Sequence, residues 1–208
     1  MNSLMISVIM PCNLGIYSGG ATSRPLKLRR AIDSFLEQIY PDKELIVVSD
    51  GCPLTTHIID GHYSDQYPKI RSVEIKRQIN FSGQVRKCGI SLAKGDVICY
   101  LDSDDMFAKG HLPAIADNFK DNDWIFFDDT LWKGDLPSSP RRKCNLAMGS
   151  CGVSNIAHKR SLDVSWEGCD GYGHDWEFIK KLMKASSKYE HIDHAGYYVT
   201  HIPGVIDF

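Results

Sequence analysis

Apolar positions along this chain follow two periods, and the two alternate. Ile6 to Met10 (ISVIM) is a continuous apolar run that stops at Pro11, as a strand buried on both faces should be. Residues 26–38 then place Leu28, Ile32, Phe35 and Leu36 on one helical face, and Pro41 follows that helix. ELIVVSD (44–50) predicts a second buried strand, closed by Asp50-Gly51. RSVEIKR (71–77) alternates like a more exposed strand. Residues 82–94 suit a helix with Val85, Ile90, Leu92 and Ala93 turned inward. DVICYL (96–101) is a third core strand and WIFFDD (124–129) a fourth short one.

Strands alternating with helices predict an α/β domain with a mainly parallel central sheet flanked by helices. Such sheets bind ligands at the carboxyl ends of their strands, so Asn13, Asp50 and the acidic run after Leu101 are expected on one rim. The segment 133–143, KGDLPSSPRRK, is the most loop-like and separates the alternating half from a part with weaker periodicity. A length of 208 residues suits a single domain with a real core. The net charge of −2 gives no electrostatic case for non-specific nucleic-acid binding, although Arg141, Arg142 and Lys143 form a short basic patch. Seven scattered cysteines without a C-x-x-C pair argue against disulfides and structural zinc, and point to a reducing cytoplasm. No apolar run is long enough for a membrane span, and the amino-terminal residues do not form a signal peptide.

Chemistry is concentrated after the third core strand, where Asp102, Asp104 and Asp105 fall within four positions. Carboxylates this close raise one another's pKa, and a divalent cation would relieve the repulsion. A D-x-D pair alone is more often a solvated acidic turn. An EF-hand is excluded, because its sixth and twelfth positions would be Phe107 and Pro113. Asp50, on the same rim, could accept the imide N–H of uracil or simply form an Asp-Gly turn. In GYGHDWEF (171–178), Asp175 is a candidate general base or a helix-start carboxylate favoured by the dipole.

Taken in chain order, SVIMPCN, AIDSFLEQIYPDKELIVVSDG, GQVRKCGISLAKGDVICYLDSDD, HKRSL, GHDWEF and YYVTH resemble the motifs of the inverting family 2 glycosyltransferases with the GT-A fold. The resemblance covers nearly the whole chain and is most specific over 83–105. It implies one GT-A domain over 1–208, with a nucleotide-sugar-binding half (1–130) and an acceptor and catalytic-base half (131–208). It implies that Pro11, Asn13, Asp50, Arg86, Asp102, Ser103 and Asp104 bind a nucleotide-sugar donor, with UDP the first expectation. A Mn²⁺ or Mg²⁺ ion would be held by Asp104, with Asp102 and His201 close to it. Asp175 would be the base, and His174, Trp176 and Trp166 would face the acceptor, whose wall would include 148–155.

The sequence departs from the family pattern in places. Ser49 precedes Asp50 where a second acid is usual, Cys12 replaces an aromatic, and Lys87 replaces an asparagine. About ten extra residues between Asn13 and Ala31, including GIYSGGATSR, predict a flap beside the donor site. The acceptor could be a glycan, a lipid-linked sugar or another hydroxyl. Nucleic acid is not expected, but a modified-base acceptor remains compatible. The competing classes are a GT-A-like nucleotidyltransferase, which would use Asp-bound metal without the late HDWEF element, and a catalytically silent nucleotide-sugar-binding module.

Overall fold

The computed structural model describes residues 4–78, 82–119, 121–132 and 141–208. The expected alternation is present, with boundaries shifted by a few residues. Strand β1 (Ile6–Cys12) leads to helix α1 (Arg24–Leu36), then β2 (Lys43–Asp50), α2 (Pro53–His62), β3 (Ile70–Ile75), α3 (Gly83–Leu92) and β4 (Val97–Tyr100). A two-residue strand β5 (Met106–Phe107) and α4 (His111–Asp117) precede β6 (Trp124–Leu131) and β7 (Arg141–Arg142). Then come β8 (Ile156–Lys159), α5 (His174–Ala185), β9 (Tyr189–Val199) and a small hairpin of β10 (His201–Ile202) and β11 (Ile206–Asp207). The loop expected over 133–143 lies outside the described residues as far as 140. Arg141 and Arg142 pair with Thr130 and Asp129 as a strand.

A nine-stranded sheet runs in the order β3-β2-β1-β4-β8-β6-β9-β5, with β7 on β6. The expectation of a mainly parallel sheet describes its first half, β3-β2-β1-β4. Beyond β4 the sheet is mixed: β8 enters antiparallel to both β4 and β6, β9 runs parallel to β6, and β5 antiparallel to β9. Hydrophobic periodicity reports burial and carries no strand direction, so the reversal at β8 leaves no trace in the pattern. Strands from both halves of the chain share this one sheet.

Each face of the sheet carries a core. One gathers Leu28, Ile32 and Phe35 of α1 with Val8, Met10, Leu45 and Val47. The other gathers Ile9, Val48 and Val85 with Trp166, Phe178, Ile179 and Leu182. Helix α5 therefore buries the face its sequence predicts. Helix α3 differs: Leu92 is exposed, and the buried face is Gly83, Val85, Arg86 and Gly89. It approaches the sheet at Gly89, where an added Cβ would lie 2.5 Å from Ile9 Cγ2 and 3.3 Å from Val48 Cγ2. Gly89→Ala is expected to cost about 1–3 kcal/mol by overpacking, measured by urea unfolding. An unchanged midpoint would contradict this account of the α3 packing.

Candidate active site

The carboxyl ends of β1, β2 and β4 open into a cavity of about 800 Å³. Pro11, Asn13, Asp50, Arg86, Asp102, Ser103 and Asp104, all expected to meet a nucleotide sugar, line it together. Asn13 Nδ2 donates to the Asp50 carbonyl at 2.8 Å and so ties β1 to β2. The Asp50 carboxylate is nearly buried. Its Oδ1 accepts from the Gln78 amide at 2.6 Å and its Oδ2 pairs with Arg77. Each oxygen keeps a second lone pair, so the carboxylate can still accept an imide N–H. Gly51 turns the chain here at φ +58, and a Cβ there would strike Arg77. The Asp50-Gly51 pair is thus both a tight turn and a held carboxylate.

The three aspartates after Leu101 divide into two kinds. Asp105 is buried and structural: it accepts from the Tyr197 hydroxyl at 2.9 Å and from the Thr200 amide at 2.7 Å. Burial, reinforced by Asp104 and Asp102, holds its pKa well above the usual carboxylate range. Asp102 and Asp104 face the cavity. Asp102 Oδ1 accepts from Arg86 Nη2 at 2.7 Å. Burial raises its pKa despite Arg86, and Asp104 and Asp175 add to the rise. The Asp104 carboxylate makes no hydrogen bond or ion pair among the described residues, while its carbonyl is held by Arg30 Nη2 at 3.0 Å and by Thr200 Oγ1. Two neighbouring carboxylates with unfilled oxygens form a donor set that suits Mg²⁺ or Mn²⁺, since such ions are held by one or two carboxylates plus substrate phosphates. The described residues contain no preformed cluster of three or more acidic, His or Cys ligands.

His201 lines the same cavity, and both of its ring nitrogens face partners within the protein. Its Nδ1 lies 3.1 Å from Asp207 Oδ1 and its Nε2 lies 2.9 Å from the Gly19 carbonyl. Both partners are acceptors, so whichever ring nitrogen carries a proton has one to donate to. The histidine ties the β10–β11 hairpin to the loop after β1. Thr22 adds a backbone bond to Asp207 Oδ2 at 2.9 Å. The extra residues after Asn13 are thus a loop docked on that hairpin, and Tyr17, Ser18 and Gly19 of that loop line the cavity.

A second cavity, of about 730 Å³, lies alongside. Residues 148–152 with Ser154 and Asn155 form one wall, and Trp176 and Tyr172 reach it. Asp102, His174, Asp175 and His201 line both cavities and so form the partition between them. Asp175 sits in the first turn of α5. Its Oδ2 accepts from the Val153 amide at 3.2 Å. Its Oδ1 is buried without a hydrogen-bond partner among the described residues, 3.1 Å from His174 Nε2 and 3.9 Å from Arg86 Nη1. His174 Nδ1 lies 3.1 Å from the Gly171 carbonyl, which fixes the proton on that nitrogen.

Trp166, expected at the acceptor, is fully buried. It stacks on Phe178 with centroids 4.1 Å apart and planes 4° apart, and the Arg86 guanidinium lies 5.3 Å from its ring centre. Its large apolar surface is used in the core, where it positions Arg86. Burial opposes the Arg86 charge, but Asp102 and Asp175 outweigh it and raise its pKa. The basic patch is likewise absorbed: Arg142 forks onto Asp129, with Nε to Oδ1 at 2.6 Å and Nη2 to Oδ2 at 2.8 Å, and Arg141 pairs with Asp128 and Asp193. Arg24, Arg30, Tyr17 and Arg77 escape a reading of the sequence, because their partners are fixed by tertiary contacts that no local spacing signals.

The family model described as "Glycosyl transferase family 2" matches residues 21–173. The chain is 30% identical over 168 residues to the minor teichoic acid biosynthesis protein GgaB of Bacillus subtilis, covering 77% of this chain and 16% of that protein. It is 25% identical over 180 residues to the uncharacterized glycosyltransferase YibD of Escherichia coli, covering 81% and 49%. The chain therefore spans less than half the length of either relative. Among solved structures, S. aureus TarS 1-349 in complex with UDP-GlcNAc superposes with a TM-score of 0.72 at 17% identity, over 97% of this chain and 60% of that one. The mannosyltransferase PcManGT from Pyrobaculum calidifontis, in complex with GDP-Man and Mn²⁺, gives 0.69 at 14% identity, over 98% and 59%. These two likenesses speak to the fold, which is GT-A. Among the described residues no helix is long and apolar enough to cross a membrane.

Proposed function

Since this chain belongs to glycosyl transferase family 2, we propose that it transfers a sugar from a nucleoside diphosphate, UDP first, to an acceptor hydroxyl with inversion at the anomeric carbon. The observation that carries this reading is Asp175 Oδ1: a buried carboxylate oxygen without a hydrogen-bond partner among the described residues, on the partition between two cavities. Buried acceptors are rarely left unpaired without a purpose. A hydroxyl arriving from the second cavity would satisfy this one.

The chemistry is a single displacement. The acceptor oxygen attacks the anomeric carbon as its proton passes to Asp175 Oδ1, and the bond from that carbon to the diphosphate oxygen breaks with its electron pair on the nucleotide. Val153 and the first turn of α5 hold the Asp175 carboxylate, and His174 packs beside it. Arg86 braces Asp102 and reaches toward Asp175, and Asn13 and Asp50 set the nucleoside end. A divalent cation held by Asp104 and Asp102 would supply counter-charge to the diphosphate as it leaves. Trp176 offers a face for an acceptor sugar. Two cavities sharing a carboxylate argue against a nucleotidyltransferase, which would make no use of the second.

The test is a panel of nucleotide sugars with and without Mn²⁺, read by thermal shift and by release of free sugar. A UDP-sugar should raise the melting temperature only with the metal and should be slowly hydrolysed. A panel with no shift in any condition would overturn the reading. Binding without hydrolysis or transfer would leave a binding module.

A further inference from the structure

Three arginines and four aspartates line the first cavity. Arg77 is paired with Asp50, and Arg86 with Asp102. Arg24 differs, because its guanidinium has no carboxylate partner among the described residues. It is held in place all the same. Nη1 donates to the Gly15 carbonyl at 3.1 Å, and the guanidinium carbon lies 4.4 Å from the centre of the Tyr17 ring. Its Nε is buried and makes no hydrogen bond among the described residues. Arg24 is also the first residue of α1. Ser23 before it stands at φ 50 and makes no side-chain cap, and the first turn of the helix carries no acid. Fixed positive charge thus stands on the cavity wall at the start of α1, and no described carboxylate answers it.

We propose that Arg24, presented by the loop after β1 and steadied by Tyr17, is a phosphate-binding residue for the nucleoside diphosphate in this cavity. This rests on the donor reading given above. A guanidinium matches phosphate oxygens in geometry and keeps its charge at any working pH. The charge balance requires such a group. With four carboxylates against three guanidiniums, the cavity carries net negative charge and would repel a diphosphate. One divalent cation makes it positive, and losing Arg24 would bring it back to neutral. The extra residues of this loop, which depart from the family pattern, thereby acquire a role, since they carry a cation to the donor.

The experiment compares wild type, Arg24→Gln and Arg24→Lys in Mn²⁺, with UDP followed by calorimetry and uridine by ligand-observed NMR. Arg24→Gln should weaken UDP roughly tenfold or more, the scale of a lost charge-assisted contact. It should leave uridine and the melting temperature unchanged, and Arg24→Lys should recover part of the UDP affinity. Equal weakening of UDP and uridine would assign Arg24 to shaping the loop and overturn the proposal, as would undiminished UDP affinity in Arg24→Gln. A wild-type protein that binds none of UDP, GDP, CDP or ADP would instead overturn the donor reading itself, and this inference with it.

Discussion

Asp175→Asn is expected to reduce sugar transfer by about 10²–10⁴-fold, the usual contribution of a general base, while UDP affinity in Mn²⁺ stays near that of wild type. The loss corresponds to about 3–5.5 kcal/mol in the barrier. Asparagine keeps the size of the side chain and an acceptor for the Val153 amide, so the first turn of α5 should survive. What disappears is the negative charge on a buried oxygen of the partition that has no hydrogen-bond partner among the described residues. A purely structural carboxylate predicts the opposite split. Its removal would cost stability, about 0.5–2 kcal/mol for a helix-start role, and leave turnover intact. A variant that melts lower yet transfers at the wild-type rate would refute the base assignment.

Asp104→Asn should weaken UDP binding at least about tenfold in Mn²⁺, or about 1.4 kcal/mol, and change it little in EDTA. The Asp104 backbone is held independently of its side chain, through the carbonyl contacts to Arg30 and Thr200, so the turn should persist in the variant. Asp105→Asn is the internal contrast. Asp105 is buried and both its carboxylate oxygens accept hydrogen bonds, from Tyr197 and Thr200, so its replacement should lower stability and leave the Mn²⁺ dependence of the remaining folded protein in place. Equal UDP affinity of wild type and Asp104→Asn in Mn²⁺ would remove Asp104 from any metal site.

Much of this is legible in the sequence, for identifiable reasons. Continuous apolar runs mark the strands β1, β2, β4 and β6, because those strands are buried on both faces. Helix α2 gives no such signal: it buries only Thr55, Ile58 and Ile59, too few positions for a clear period. Strand β8 has four residues and β9 opens on exposed polar ones, so neither stands out. Residues that follow core strands directly, such as Asn13, Asp50, Asp102 and Asp104, are assigned to one rim by topology alone, and they line one cavity. Trp166 comes out differently, and the surroundings of His201 are not legible. A tryptophan reads alike in sequence whether it faces a sugar or stacks on Phe178, and both hydrogen bonds of His201 depend on where a loop and a hairpin come to rest.

The carboxylate turn after β4 leans on late arrivals. Arg30 Nη2 grips the Asp104 carbonyl and Thr200 Oγ1 from one side, and Tyr197 and Thr200 hold Asp105 from the other. Tyr197 and Thr200 lie more than 90 residues downstream of the turn. On the ribosome, a nascent chain that has completed β6 already contains all three aspartates but not Tyr197 or Thr200. Closing so long a loop is slow and has to come before the contacts that reward it. Until Tyr197 and Thr200 have been made, the turn lacks the contacts that hold Asp105. The geometry of the three aspartates depends on β9 taking its place between β6 and β5, so a chain that stops short of Tyr197 holds the acidic motif without the fixed site.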